Sequence, residues 1–422
     1  MIVQLPAEGG ALLDWSLLPP LDQGSGGQPA QARQPPLQPA PQPPRFNRVA
    51  YAAAHIVAKP RTQGDPSDPE NVDWDATLAF RHHLWRHGFG IAEAMDTAQR
   101  EVLGWEASAR LLEQTLAAAA QAPGRLVMGG AGTDHLATDN PTLAQIVEAY
   151  VMQAEFIHER GGRAILFPTE HLPQKFGEPR HYVEAYRAIA SQVSRPVFVH
   201  WLGEMFSPRL RGYFPGESFW EIMEDNPKLL GVKISLLDQA HEEAVRRRLA
   251  PAGQVVLTGD DFNYPALIEG GPQPVDGAAL EWEGASYQAG DYSHALLGIF
   301  DGIATVASQA LSALTAGDTE TYRRLLAPTV PLSRHIFGEP TRFYKAGLVL
   351  LAYLNGHQEH FHLLGDLERE RDIVHYATLF RLANQAGVLD DPPQAYERFK
   401  PILSAAGVTS LAAGVTSPSA GK

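Results

Sequence analysis

Apolar, β-branched runs alternate with amphipathic segments along most of the chain. The runs are apolar at nearly every position, a pattern typical of strands that are buried on both faces of a parallel sheet. Eight strands are predicted, at 48–57, 88–94, 125–131, 163–168, 196–201, 229–235, 254–259 and 293–299. Because strands in such regular alternation with helices fit a closed cylinder better than an open sheet, the pattern predicts an α/β fold, a (β/α)8 TIM barrel.

Helical periodicity fills the intervals between the strands and continues past the last one. Apolar residues recur at helical spacing in the barrel segments 73–87, 100–122, 141–160, 178–193, 217–225, 238–250 and 262–269. After the eighth strand the pattern is helical only, at 303–316, 318–337, 340–354, 370–386 and 393–403. The sequence therefore predicts a helical C-terminal extension.

Composition divides the chain into four parts. We predict an N-terminal arm with a Pro/Gly-rich linker at 1–45, the barrel at 46–302, a C-terminal helical region at 303–404 and a flexible tail at 405–422. The Pro- and Gly-rich composition of the linker cannot form a packed core. The segment 272–290 has neither periodicity, so it is expected to be a loop, either a lid over the barrel mouth or a surface insertion.

Charge and composition narrow the class of partner. The 422 residues carry a formal charge of −14, which argues against binding to nucleic acid or to anionic membranes. No cysteine is present, which excludes disulfides, thiolate nucleophiles and cysteine-ligated zinc. The N-terminus lacks a signal-peptide pattern and no run approaches the length of a membrane span. We therefore expect a cytoplasmic protein that acts on a small molecule.

Ionisable residues concentrate where the predicted strands end, which is where barrels collect their reactive groups. These positions hold His55, Asp96, Thr97, Asp134, His135, Glu170, His171, His200, Glu204, Lys233, Asp260, Asp261 and Asp301. Each has a structural alternative, since a strand-end aspartate such as Asp260 or Asp261 often caps the next helix. Their concentration at one rim nevertheless predicts an active site there.

Lys233 is the strongest single lead. It lies inside the apolar strand LLGVKIS at 229–235, whereas the other six lysines have polar, Pro-flanked, helical or terminal surroundings. Burial disfavours the charged ammonium, and the neutral amine that results is a nucleophile toward carbonyl groups. The alternative is a lysine that reaches water at the strand end or pairs with a carboxylate.

The order of motifs resembles a known family. The strand GVKIS at 231–235, followed about 25 residues later by LTGDD at 257–261, is similar to the Schiff-base lysine strand and the "SGDD" strand of the dihydrodipicolinate synthase / N-acetylneuraminate lyase superfamily of class I aldolases. The segment FGEP at 337–340 with Lys345 is similar to that family's "EPNP…K" segment. AHIV at 54–57 and AEAMDTAQ at 92–99 further resemble an uncharacterised dihydrodipicolinate synthase-like branch (DUF993-like).

This resemblance implies a Schiff base on Lys233 and a homo-oligomer, a dimer or tetramer. The family's proton-relaying tyrosine corresponds to His200, which can also transfer protons, with a pKa closer to neutrality. The family's carboxylate-binding turn corresponds to 95–99, where Asp96 would repel the carboxylate of a 2-oxo acid. Strand four ends in Glu170 and His171 where the family has aromatic residues, so the pocket is expected to suit a more hydroxylated ligand.

The first functional hypothesis is a Schiff-base-forming lyase or aldolase that acts on a small, sugar-derived keto compound and needs no cofactor. Its catalytic residues are Lys233 and His200. Its substrate-binding residues are Asp96, Thr97, Glu170, His171, Asp260 and His55.

Two other hypotheses stay open at this stage. A metal-dependent isomerase, epimerase or class II-type aldolase would hold a divalent metal, because histidine and carboxylate side chains supply the nitrogen and oxygen ligands that such ions prefer. The candidate ligands are His55, Asp134, His135, Glu170, His171 and His200. No compact ligand motif such as HExxH is present. The third hypothesis is a sugar-sensing or scaffold protein without activity.

Overall fold

The computed structural model describes residues 1–19, 43–60, 64–224, 226–272, 279–282, 285–288 and 290–408. Strands are numbered in chain order. The barrel strands are β3 (Ala50–Ala53), β4 (Gly90–Glu93), β5 (Val127–Ala131), β6 (Arg163–Leu166), β7 (Val197–Leu202), β8 (Leu229–Ser235), β9 (Val255–Thr258) and β12 (His294–Leu297). Two hairpins pair β1 (Ile2–Pro6) with β2 (Leu12–Ser16), and β10 (Leu280–Trp282) with β11 (Ala285–Tyr287).

The barrel strands run parallel and close in the order β12-β3-β4-β5-β6-β7-β8-β9. Each predicted apolar run overlaps one of them, so the predicted TIM barrel is confirmed. Alternate side chains of each strand point into the cylinder or out toward the helices. Phe198 and Leu257 belong to the interior cluster, whereas Val199, Val232 and Ile234 belong to the large cluster that the helices cover.

Helices surround the barrel and then continue as the C-terminal region. The first group is α1 (Trp74–Arg86), α2 (Arg100–Ala119), α3 (Leu143–Glu159), α4 (His171–Lys175), α5 (Pro179–Gln192), α6 (Ser218–Met223), α7 (Gln239–Leu249), α8 (Tyr264–Glu269) and α9 (Ile299–Gly302). The second group is α10 (Ala304–Thr315), α11 (Thr319–Leu326), α12 (Thr329–Ile336), α13 (Tyr344–Leu354), α14 (Ile373–Gln385) and α15 (Pro392–Ala405). The short helices α4 and α9 were not predicted.

One predicted helix is two helices in the structure. The segment 318–337 contains α11 and α12, which are separated at Ala327 and Pro328. Proline has no backbone N–H to donate to the preceding turn, so it sits readily at the start of α12 and not inside a continuous helix. Periodicity alone does not reveal this break, because both halves carry the same apolar spacing.

The N-terminal hairpin is anchored to the C-terminal region. Asn384 of α14 accepts hydrogen bonds from the indole N–H of Trp15 at 3.2 Å and from the backbone N–H of Leu18 at 2.9 Å, and it donates to the carbonyl of Leu18 at 3.0 Å. Most of the predicted linker, 20–42, and most of the predicted tail, 409–422, lie outside the described residues. Among the helices described, none combines the length and the apolar character that crossing a membrane requires.

The described part of the segment 272–290 places the side chain of Trp282 inside the amino-terminal end of the barrel. Trp282 is 2% exposed and belongs to the interior cluster. Its ring centroid lies 4.8 Å from that of Phe198, 6.3 Å from Tyr51 and 6.1 Å from His294, the first residue of β12. The described part of this segment is therefore neither a lid over the mouth nor a mere surface insertion; residues 273–278, 283–284 and 289 lie outside the described chain.

We expect Trp282→Ala to lower the free energy of unfolding by about 3–5 kcal/mol, because it removes a fully buried aromatic ring and leaves a cavity against Phe198. Urea unfolding measures the change. Trp282→Phe is the matched control: the Trp282 indole N–H has no hydrogen-bond partner among the described residues, so its loss should cost less than about 1.5 kcal/mol. Equal losses of unfolding free energy in the two variants would contradict the conclusion that the ring of Trp282 fills this end of the barrel.

Candidate active site

A small pocket lies at the carboxyl-terminal end of the barrel. Its walls are largely aromatic, with Phe167, Phe206, Phe337 and Tyr344 contributing rings. Its polar lining comes from Asp96, Thr97, His200, Lys233, Ser235 and Asp261. The pocket volume of about 20 Å³ leaves room for roughly one water molecule. The pocket thus suits a small ligand better than an extended one.

Lys233 points into this pocket because of the strand alternation. Its neighbours Val232 and Ile234 pack outward against the helices, so the side chain between them faces the interior, where it is 8% exposed. Gly259 makes room for it, since a Cβ at that position would lie 2.7 Å from the Cε of Lys233 and 2.2 Å from the Oγ of Ser235. A larger residue at the glycine position of the LTGDD motif would therefore displace Lys233 and Ser235.

Lys233 and Asp261 form an electrostatically coupled pair. Burial lowers the pKa of Lys233 to about 8, against the opposing influence of Asp261 and Asp96. Burial raises the pKa of Asp261 to about 7, although the backbone N–H of Ile299 donates to its carboxylate at 2.8 Å and Lys233 also stabilises the charged form. A neutral amine and a neighbouring acid are therefore both accessible near neutral pH.

His200 lies directly opposite Lys233 in the register of β7 and β8. Its Nε2 is 3.2 Å from the hydroxyl of Ser235, while its Nδ1 is buried without a hydrogen-bond partner among the described residues. Burial, with a further contribution from Lys233, lowers the pKa of His200 well below its usual value. This corrects the expectation of a pKa near neutrality: the ring stays neutral and serves as a hydrogen-bonding group.

The turn after β4 carries Asp96 and Thr97 and is bound by the C-terminal region. Lys345 of α13, which is fully buried, contacts the carboxylates of Asp96 and Glu101, each at 2.8 Å. The Thr97 hydroxyl lies 2.8 Å from the hydroxyl of Tyr344. Burial and the nearby Asp96 raise the pKa of Tyr344 well above its usual range, so the phenol keeps its proton.

The backbone of this turn is held in an uncommon conformation. Ala94 and Gln99 have φ values of 52° and 53°, in the left-handed region that non-glycine residues rarely adopt. Arg100 donates to the carbonyl of Ala94 at 2.9 Å, and Gln99 exchanges two hydrogen bonds with the backbone of Leu364. These contacts fix where Asp96 and Thr97 enter the pocket.

The structure brings together half of the eight residues predicted for catalysis and substrate binding. Those that line the pocket are Lys233, His200, Asp96 and Thr97. The other four are placed elsewhere: His55, Glu170, His171 and Asp260. Their role in substrate binding stays a prediction that the pocket lining does not support.

Three of these four residues have side-chain partners outside the pocket. The His55 ring lies 2.8 Å from Asp301 and 3.1 Å from Gln358. The carboxylate of Asp260 accepts from the backbone N–H groups of Phe262 and Asn263 in the turn that precedes α8, so it orders this turn and does not cap the helix itself. Glu170 accepts from Ser207 at 2.6 Å and pairs with Arg209 at 3.0 Å, while His171 is the first residue of α4.

The metal hypothesis is not supported by the placement of its six candidate ligands. Asp134 is engaged by Arg100 at 2.7 Å, and His135 contacts Gln153 at 2.8 Å. Among the residues that the structure describes, one group of three side chains lies close enough to share an ion, and none of the six belongs to it. That group is His362, Asp366 and Glu368, and it does not line the pocket.

Sequence reasoning missed three functional candidates: Tyr344, Asp261 as a neighbour of the amine, and Ser235 as the partner of His200. Lys345 was recognised within the motif at 337–345, and this motif was the available signal for Tyr344, its neighbour. Asp261 was among the rim residues, but nothing in the sequence distinguished it from Asp260.

Several solved structures are similar to the barrel with its appended helices. Dihydrodipicolinate synthase from Agrobacterium tumefaciens is 16% identical, covers 82% of this chain and 99% of its own, and has a TM-score of 0.55. Dihydrodipicolinate synthase from Oceanobacillus iheyensis is 14% identical, with 79% and 96% covered and a TM-score of 0.52. Sialic acid aldolase from Ruminococcus gnavus is 13% identical, with 81% and 99% covered and a TM-score of 0.52. At these identities the likeness shows a common fold.

No curated protein matches the chain. A family model described as a protein of unknown function, DUF993, matches residues 19–408. This match covers most of the sequence and confirms the branch that the motifs at 54–57 and 92–99 indicate. The chain therefore belongs to the DUF993 family, and its fold is the barrel of dihydrodipicolinate synthase and N-acetylneuraminate lyase.

Proposed function

We propose that this chain is a Schiff-base-forming lyase or aldolase that acts on a small carbonyl compound through Lys233. The observation that carries the proposal is a buried amine that lines a small pocket and whose pKa is lowered by burial to about 8. Neither structural alternative for this lysine fits its surroundings. At 8% exposure it does not reach water freely, and no carboxylate in the described part of the chain forms an ion pair with it.

The first steps of the proposed reaction follow from these groups. The Nζ of Lys233 attacks the carbonyl carbon, a C–N bond forms as the C=O π bond breaks, and a proton passes from the nitrogen to the oxygen. The hydroxyl group of the resulting carbinolamine takes up a second proton and leaves as water, while the nitrogen lone pair forms the C=N bond of an iminium ion. The iminium withdraws electrons from the adjacent carbon, so that a neighbouring C–C or C–O bond can break. This chemistry needs no cofactor, because the iminium itself is the electron sink.

The protons in these steps need nearby donors and acceptors. Asp261, with a pKa of about 7, can exchange a proton near neutral pH. The paired hydroxyls of Thr97 and Tyr344 can donate hydrogen bonds to the oxygen that leaves as water. The neutral ring of His200 also lines the pocket, and its Nδ1 has no hydrogen-bond partner among the described residues.

The structural neighbours support this proposal at the level of the fold. One of them is by name an aldolase of sialic acid, which is consistent with C–C bond chemistry on this fold. The observed geometry does not favour the metal-dependent hypothesis over the amine. A homo-oligomer and a cytoplasmic location stay predictions.

We expect the rate of iminium formation to rise with pH and to reach half its maximum near pH 8, because the neutral amine is the nucleophile and the pKa of Lys233 is about 8. Cyanoborohydride trapping of a carbonyl compound, followed by intact mass and peptide mapping from about pH 6 to pH 9.5, measures this rate.

Lys233→Met should abolish the adduct. Lys228→Met is the matched control, because Lys228 donates hydrogen bonds to the carbonyls of Val193 and Ser194. This substitution should leave formation of the adduct unchanged. If Lys233→Met still formed the adduct with the same dependence of rate on pH, the proposed function would be wrong.

Removing either member of the hydroxyl pair should slow iminium formation by about 10²-fold, the usual contribution of positioned proton transfer. Tyr344→Phe and Thr97→Val each keep the shape of the side chain. Because the two hydroxyls contact each other, the double variant should be no slower than the slower single variant.

Tyr353→Phe is the control for this pair, because Tyr353 lies on the same helix but donates to the carbonyl of Arg398. It should leave the trapping rate unchanged. Independent, multiplicative losses in the double variant would show that the hydroxyls do not act as a unit.

A further inference from the structure

Asp96 places a carboxylate beside the reactive amine. Its side chain lines the same pocket as Lys233, and its charge favours the protonated form of that lysine. One oxygen, Oδ1, pairs with Lys345, but the other, Oδ2, is buried with no hydrogen-bond partner in the described part of the chain. A buried acceptor without a partner is costly, and a ligand hydroxyl would satisfy it. A ligand carboxylate would be repelled instead.

The pocket also lacks a free cation to offset a ligand carboxylate. Among its lining residues, all of which the structure describes, Lys233 is the one basic amine or guanidinium, and the proposed chemistry consumes it. Lys345 lies behind Asp96, fully buried, and already contacts Asp96 and Glu101 at 2.8 Å each. Proteins usually hold carboxylates with free arginine or lysine side chains or with backbone N–H groups. Neither cation is available for that purpose here.

The remaining lining fits a short ligand with one or two uncharged oxygens. Four aromatic rings form the walls, and the pocket is small. The polar groups left for the ligand are the unpartnered Nδ1 of His200, the hydroxyls of Thr97 and Tyr344, and the Oδ2 of Asp96. Together they can serve a carbonyl oxygen and a neighbouring hydroxyl group. Glu170, His171 and Asp260, which the sequence offered for a more extended array of hydroxyls, are not there.

We infer that the substrate is a short, uncharged hydroxyaldehyde or hydroxyketone, and that Asp96 is the residue that excludes 2-oxo acids. This inference rests on the proposed Schiff-base function of Lys233 and adds the class of compound that the amine accepts. The hydroxyl next to the carbonyl donates to Asp96, while the carbonyl carbon lies within reach of Lys233.

Hydroxyacetone and pyruvate provide a matched test, because they differ by a hydroxymethyl group in place of a carboxylate. Each compound is incubated with the full chain and cyanoborohydride, and mass spectrometry measures the rate at which a secondary amine forms on Lys233. Each rate is divided by the rate of the same compound with a free lysine derivative, which removes intrinsic reactivity. We expect the normalised rate for hydroxyacetone to exceed that for pyruvate by about tenfold or more.

The variant Asp96→Asn removes the charge and keeps the shape, and it should reduce this preference by about tenfold. Glu101→Gln is the control, because Glu101 also contacts Lys345 but does not line the pocket, and the preference should stay within about twofold of its original value. The comparison of the two compounds on the unmodified chain stands even if Asp96→Asn does not fold.

The outcomes separate the two proposals. An adduct on Lys233 that forms faster with pyruvate overturns the substrate class and leaves the Schiff-base function intact. A preference that Asp96→Asn does not change, or that Glu101→Gln changes as much, removes the role of Asp96. No adduct on Lys233 from either compound overturns the proposed function and, with it, the substrate class.

Discussion

The burial of one amine among carboxylates is the constraint on which the rest of the site depends. An ammonium group loses solvation inside a barrel, and Lys233 lies in the barrel interior, where only 8% of the residue is exposed. Asp261 and Asp96 recover part of that loss, which leaves the pKa of Lys233 at about 8. A closer carboxylate would form an ion pair and keep the amine protonated. In the observed arrangement, Lys233 can exist near neutral pH both as a charged ammonium and as a neutral, nucleophilic amine.

The C-terminal helical region is part of this site and not an appendage. It supplies Phe337 and Tyr344 to the pocket walls, and it supplies Lys345 to neutralise Asp96 from behind. Burial lowers the pKa of Lys345, but the two carboxylates around it outweigh this effect and raise the pKa above its usual value. These ion pairs join α13 to the turn after β4, and removing Asp96 and Glu101 would leave the buried Lys345 charge uncompensated. The barrel by itself would present an incomplete pocket.

The two ends of the barrel have different tasks. At the amino-terminal end, Trp282 fills the interior against Phe198 and contributes to stability. At the carboxyl-terminal end, the polar lining of the pocket leaves buried atoms of Asp96 and His200 without partners among the described residues. The indole N–H of Trp282 also lacks such a partner, but Asp96 and His200 line the same pocket as Lys233. A division into a stabilising end and a reactive end is the usual organisation of TIM barrels, and Trp282 strengthens the stabilising end.

The sequence by itself determined the barrel, the helical extension and the inward-facing lysine, because these depend on periodicities that are local along the chain. It also indicated His200, Asp96 and Thr97, which lie at or just beyond strand ends. It could not separate Asp260 from Asp261, since the alternation of a strand no longer applies once β9 has ended at Thr258. Nor could it place Tyr344, which meets Thr97 across 247 positions of sequence. Only the tertiary structure decided these residues, because their roles depend on which distant groups share one desolvated space.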